Sequence, residues 1–221
     1  MNRSSRNRLN ERLLPLFPGD SLFDRIARAV CRAGCLPRKE LYEAWEVARR
    51  VHRRFRGGRV VDLASGHGLL AQILLLLDSA IPEALAVDRR IPENAAQLAA
   101  QLRSDWPGLA GRLSFVEKDI EQVPLFADDI VVSAHACGGL TDLVLERAVA
   151  AGCKVAVLPC CHDLKSADGG GLQGWLDGPL AVDVTRAAWL RARGYRVYTQ
   201  TIPEDISAKN RLLMAEPEFG L

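Results

Sequence analysis

Apolar residues follow two rhythms along this chain. Short unbroken runs rich in Val, Ile, Leu and Ala predict strands. They are Arg59-Val60-Val61-Asp62-Leu63, Ala84–Asp88, Leu113–Ile120, Asp129–Ala134 and Lys154–Leu158. Longer segments between them repeat their apolar positions at helical spacing or have helical length. Leu69–Leu77 follows the first strand at once, Thr141–Ala151 follows the fourth, and Asp183–Arg193 ends at Gly194. Tyr195–Ile202 and Arg211–Ala215 read as two closing strands. Upstream, Asp20-Ser21 can cap a helix running to about Ala33, with Leu22, Phe23, Ile26, Ala27 and Val30 on one side. Pro37 opens a second helix whose stripe is Leu41, Ala44, Trp45, Ala48, Val51 and Phe55, and Gly57-Gly58 stops it.

Strand and helix in alternation predict an α/β fold, Rossmann-like and doubly wound. The sheet is expected to be mostly parallel and seven-stranded, with a C-terminal antiparallel hairpin and helices preceding it. Residues 1–18 read as a flexible basic lead. Residues 19–221 read as one domain, with N-terminal helices over 19–57 and the core over 58–221. The helices are expected to pack over the sheet or cover its ligand edge. The Gly-rich stretch from Asp163 to Pro179 reads as a long functional or mobile loop.

The first strand ends in an acid, then turns through Ala64-Ser65-Gly66-His67-Gly68 into a helix. Small residues let backbone approach a ligand closely. The turn departs from G-x-G-x-x-G, because Ala64 stands where the first Gly would. A dinucleotide pyrophosphate prefers little negative charge there. Asp62 instead suits a cofactor carrying an amino-acid cation and a sulfonium. Asp88 follows Gly68 at the spacing of a carboxylate that binds ribose hydroxyls. Asp119 closes the third strand, so three acids meet at the carboxyl edge of one sheet.

Composition narrows the class without choosing a substrate. The hydrophobic fraction of 48% can fill a sizeable core. No apolar run is long enough to span a bilayer, and the basic start lacks the apolar centre of a secretory signal. A cytoplasmic protein with reduced thiols is expected, and no membrane partner. Net charge is only +2. Arginines nevertheless crowd two places: Arg3, Arg6, Arg8 and Arg12, then Arg49, Arg50, Arg53, Arg54, Arg56 and Arg59 with His52. They could contact RNA phosphates, or simply solvate exposed faces and a helix C-terminus.

Reactive residues gather after the fourth and fifth strands. His135-Ala136-Cys137-Gly138 leads to Thr141-Asp142, and Pro159 is followed by Cys160-Cys161-His162-Asp163. Lys209-Asn210 enters the last strand. In a doubly wound sheet these ends converge. One reading makes them a substrate pocket: Cys137, Cys160, Cys161, Asp163, Lys209 and Asn210 line it, and His135, Asp142 or His162 acts as base. A second gives Cys137, Cys160, Cys161 and His162 a zinc or iron ion. Adjacent cysteines coordinate one ion awkwardly, so no metal is expected. A third leaves the cysteines as small residues at tight turns.

Over roughly residues 40–215 the order of these motifs resembles class I S-adenosylmethionine-dependent methyltransferases. The resemblance implies S-adenosyl-L-methionine as cofactor, held by Asp62, Ala64, Gly66, Gly68, Asp88, Asp119, Ile120 and His135. More narrowly, His135-Ala136-Cys137-Gly138, Cys160-Cys161-His162 and Lys209-Asn210-Arg211 resemble a branch related to tRNA acceptor-stem 2′-O-methyltransferases. That implies in-line methyl transfer to an O or N acceptor, with RNA as the leading substrate. A protein or small-molecule acceptor remains open, as does a non-catalytic cofactor-binding role. A nicotinamide-dependent oxidoreductase fits less well, because Asp62 lies inside the turn. Oligomeric state is not encoded in these patterns.

Overall fold

The computed structural model describes residues 2–218. Seven strands form one sheet: β1 (Val60–Leu63), β2 (Ala84–Asp88), β3 (Leu113–Glu117), β4 (Ile130–Ser133), β5 (Lys154–Val157), β6 (Tyr195–Thr201) and β7 (Arg211–Pro217). Their order is β3-β2-β1-β4-β5-β7-β6. The first five are parallel, and β7 runs antiparallel between β5 and β6. The expected doubly wound sheet with a closing hairpin is therefore the observed one. Asp62 pairs in register with Ala86 and Val132, so β1 lies at the centre of the reversal in strand order. A ligand crevice forms at such a reversal, outside the strand carboxyl ends.

Helices cover both faces. On one face lie α1 (Leu22–Ala33), α2 (Arg38–Arg54), α3 (Leu69–Leu77) and α4 (Ala95–Asp105). On the other lie α5 (Gly139–Ala151) and α6 (Gly178–Arg191). Helix α3 is apolar nearly all round, which suits its place between α2 and the sheet. Ser21 caps α1 by accepting from the Asp24 N–H at 3.1 Å.

Several boundaries differ from the sequence pattern. β3 stops at Glu117, and Asp119 instead precedes a 3-10 turn over Ile120–Gln122. Helix α6 starts at Gly178, inside the expected loop. Asp177 caps it by accepting from Leu180 N–H at 3.0 Å, and Pro179 sits in its first turn.

The expected flexible lead is packed. Leu9 and Phe17 are buried in the core, and a 3-10 helix over Glu11–Leu16 joins them. The segment runs back along the start of α2. Leu9 N–H donates to Leu36 at 2.8 Å; Arg38 and Lys39 N–H donate to Asn7 and Ser5 at 3.1 and 3.0 Å. The first N–H groups of a helix have no partner within it, and the lead supplies two carbonyls for them. Arg3 forks onto Asp205, in the segment between β6 and β7. Arginine count hid this because the apolar anchors of the lead are few and widely spaced.

Phe17→Ala is expected to cost about 3–5 kcal/mol, as for other large buried aromatics. Chemical denaturation measures it. An unchanged midpoint would mean the lead is an appendage.

Candidate active site

The β1–α3 turn is the best-formed part of the site. Ala64 has φ 55°, the left-handed region that costs a residue with a Cβ about 1–2 kcal/mol. Gly66 (φ +53°) has open space where a Cβ would lie. A ligand can occupy that space without displacing protein. Gly68 has a different role: a Cβ there would meet Ala86 at 2.9 Å and Phe115 at 3.0 Å, so it serves the packing of turn against sheet.

Asp62 is 1% exposed and accepts one long hydrogen bond, from the Ala71 N–H at 3.3 Å. Burial, with a smaller contribution from the nearby Asp88 charge, pushes its pKa up to about 8. Burial thus favours the protonated carboxyl in the unliganded chain, and a cation beside it would favour the charged form. Beside it, Ser65 Oγ is buried without a partner. Both line a small cavity with His67, Ala134, His135 and Glu40.

Two larger cavities flank this point. One, of about 250 Å³, is lined by Ala64, Asp88, Asp119, Ile120 and Leu140. Asp88 accepts from Gly66 N–H at 2.9 Å and faces this cavity. A carboxylate has about four acceptor sites, so capacity remains for ribose hydroxyls. Asp119 pairs with Arg89 at 2.6 Å across the rim. The other cavity, of about 450 Å³, is lined by Arg6, Lys39, Glu40, His135, Cys160, Cys161 and Lys209. His135 and Glu40 belong to both this cavity and the small one, so they mark the junction.

Four expected residues are placed elsewhere. Asp142 is held by Arg186 at 2.6 and 2.9 Å, on the α5–α6 side. His162 is buried, with Nε2 2.7 Å from Asp183, which also accepts from Arg211 at 2.6 Å. Neither lines the acceptor cavity, and both belong to a network tying α5, α6 and β7 together. Asp163 is exposed and caps its own turn through Ser166 Oγ (2.7 Å) and Lys165 N–H (3.2 Å). Asn210 donates to the Ile202 carbonyl at 3.0 Å and closes the β6–β7 connection. Asp142 and His162 have partners far along the chain, whereas Asp163 is held by its own turn.

The thiols do converge. Cys137 Sγ lies 2.7 Å from Cys160 Sγ, and Cys161 completes a cluster in which all three sulfurs lie within 4.8 Å. The arginine cluster at the end of α2 does not reach the site. It lies toward the amino ends of the strands, and Arg49, Arg50, Arg54 and Arg59 pair with Glu46, Glu216 and Asp129. Residues missed by motif reading are Lys39, Glu40 and Ser65, whereas Arg6 belongs to the first arginine cluster and does line the cavity. Only Ser65 sat in a recognised motif; Lys39 and Glu40 arrive through the placement of α2.

Comparison with known proteins gives the family and the fold. A family model described as a methyltransferase domain matches residues 38–167. The chain belongs to this methyltransferase domain family. The chain is 29% identical over 107 residues to the human glutathione S-transferase C-terminal domain-containing protein. That match covers 48% of this chain and 16% of the relative. The Drosophila melanogaster homologue is 35% identical over 108 residues, covering 48% and 17%. The chain thus spans about a sixth of these curated relatives. Among solved structures, an O-methyltransferase family protein from Burkholderia thailandensis superposes with TM-score 0.55 at 20% identity, covering 98% of this chain and 66% of that one. The B. subtilis M1A22 tRNA methyltransferase TrmK gives 0.53 at 18%, covering 79% and 65%. These likenesses show the shared fold. Among the described residues, no helix is long and apolar enough to cross a membrane.

The buried Asp62 carboxyl yields a pH signature. Its folded pKa, about 8, lies above its ordinary value of 3.8. Between those values the unfolded chain binds fewer protons, so this group lowers stability as pH rises. Asp62→Asn removes the titration. The unliganded variant is expected to melt above wild type at neutral pH, with the gap closing toward about pH 4. Thermal melts across that range measure it, and a gap independent of pH would contradict the assignment.

Proposed function

We propose that this chain methylates RNA, on a nucleotide presented to the 450 Å³ cavity beside His135. The observation carrying this reading is that the 450 Å³ cavity and the small cavity holding Asp62 and Ser65 share His135 and Glu40, with the Asp88 cavity on the other side of the same turn. The residues fit the cofactor. The space above Gly66, the unpartnered Ser65 hydroxyl and the buried Asp62 form a cradle for its amino-acid end. Asp88 would hold the ribose hydroxyls, and Ile120, with Asp119 beside Arg89, would border the adenine. When bound, the cofactor supplies an electrophilic methyl group on a positively charged sulfur.

The chain's own contribution is positioning, which accounts for much of the rate of such a transfer. His135 lies where the cofactor and acceptor spaces meet. For a hydroxyl acceptor it would take the proton released as the new bond forms. Arg6, Lys39 and Lys209 supply cations around the acceptor cavity. Its volume falls in the range of small-ligand pockets, about 300–1,000 Å³, which suits one nucleotide turned out of its stack. The likeness to the TrmK fold supports the same substrate class. A reduced, cytoplasmic setting accords with free thiols at the cavity wall. A second reading is favoured by Glu40 and Glu43, which also line the cavity and would suit an amine on a protein or small molecule.

Methyl label supplied with total RNA and, separately, total protein decides between them. Label in RNA is expected; label only in protein or small molecules rejects this proposal. Asp88→Ala should weaken S-adenosylhomocysteine binding about 10–100-fold by calorimetry, the scale of lost charged hydrogen bonds. Arg6→Glu should raise the KM for RNA and reduce its salt dependence, leaving S-adenosylhomocysteine affinity unchanged.

A further inference from the structure

We propose that Cys137, Cys160 and Cys161 form a thiolate site for one zinc ion in the wall of the acceptor cavity. The inference does not depend on the identity of the methyl acceptor. Three sulfurs from two separate loops lie within 4.8 Å of one another, and the closest pair is 2.7 Å apart. Zinc–sulfur bonds of about 2.3 Å at tetrahedral angles place sulfurs about 3.8 Å apart. That spacing lies within the 4.8 Å that bounds the cluster and is wider than the Cys137–Cys160 separation, so an entering ion would spread that pair. Soft sulfur donors select zinc over magnesium or calcium.

The loops bearing these thiols are held by the scaffold. Gly138 N–H donates to the Cys161 carbonyl at 2.9 Å, which ties the end of β4 to the end of β5. Ala136 N–H donates to Ser133 Oγ at 3.2 Å, and Thr141 Oγ1 donates to the Ala136 carbonyl at 2.6 Å. The ligands are therefore preorganised by backbone, as an accurate metal site requires. The sequence objection, that adjacent cysteines serve one ion awkwardly, loses force because Cys160 and Cys161 do bring their sulfurs together.

Burial separates this cluster from the remaining thiols. Cys31, Cys35 and Cys153 are buried, as inert core cysteines are, whereas Cys137 and Cys161 are exposed. Lys209 lies beside Cys161, where its charge offsets the surplus of three thiolates over one divalent ion. Three protein ligands leave a fourth position open, the pattern of reactive rather than purely structural zinc. Cys160 and Cys161 line the cavity that also holds His135, so a bound ion would border that space.

The test is anaerobic titration of the reduced, metal-free full chain with Cd²⁺, followed by thiolate-to-cadmium charge-transfer absorption. One equivalent is expected to bind and to be displaced by Zn²⁺. The Cys137→Ser/Cys160→Ser double variant should lose the signal, and Cys161→Ala should weaken binding by about 100-fold or more. S-adenosylhomocysteine titration of each variant reports whether it has folded. Alkylation mapping of wild type needs no variant: Zn²⁺ should shield these three cysteines from iodoacetamide. No stoichiometric uptake by wild type would overturn the proposal. So would a signal kept by a folded double variant, or a Cys137–Cys160 disulfide whose reduction restores no metal binding.

Discussion

The site is organised around a carboxyl group taken out of water. Asp62 is the penultimate residue of the central strand, and among the described residues its carboxyl accepts one hydrogen bond, from the first turn of α3. An isolated carboxylate at this depth would be very costly, so burial drives its pKa upward. Strand β1, the turn and α3 are thus assembled around a polar group that lacks its natural counter-charge. The neighbouring Ser65 hydroxyl, also unpartnered, and Ala64, in a backbone region suited to glycine, share that condition. Their cost is concentrated where ligand contacts can offset it.

The rest of the edge is stiffened by partners that keep it from collapsing into this space. Gly138 joins the β4 and β5 loops through backbone. Asp183 gathers His162, Arg186 and Arg211 behind them. Asp78 accepts from Gly57 and Ala80 at the opposite end of the sheet, and Arg59 holds the buried Asp129 there. Polar networks therefore brace both ends of the strands, while reactive groups remain at only one.

The fold was largely legible because it rests on local pattern. The apolar run before Asp62, the turn after it and the acid at Asp88 each occupy one contiguous stretch, and parallel strands buried on both faces are apolar throughout. The pairing of side chains was not legible. Asp142 and His162 carry the right chemistry in the right loops, yet Arg186 and Asp183 hold them for structure. Nothing near them in sequence marks that difference. Glu40 was hidden for the opposite reason. It lies on a helix whose periodicity reports only its buried stripe, and it reaches the site because the start of α2 lies over the strand ends.

The packed lead places Arg6 at the acceptor cavity, yet it precedes residue 38, where the shared methyltransferase region begins. On the proposed reading, the donor side of the site is built from family sequence, and part of the acceptor side from outside it. Such a division lets the two halves of the reaction diverge separately. A change in the first residues can alter what is admitted without disturbing the machinery that delivers the methyl group. Substrate range would then be set in part by the segment before residue 38, while the matched core keeps one chemistry.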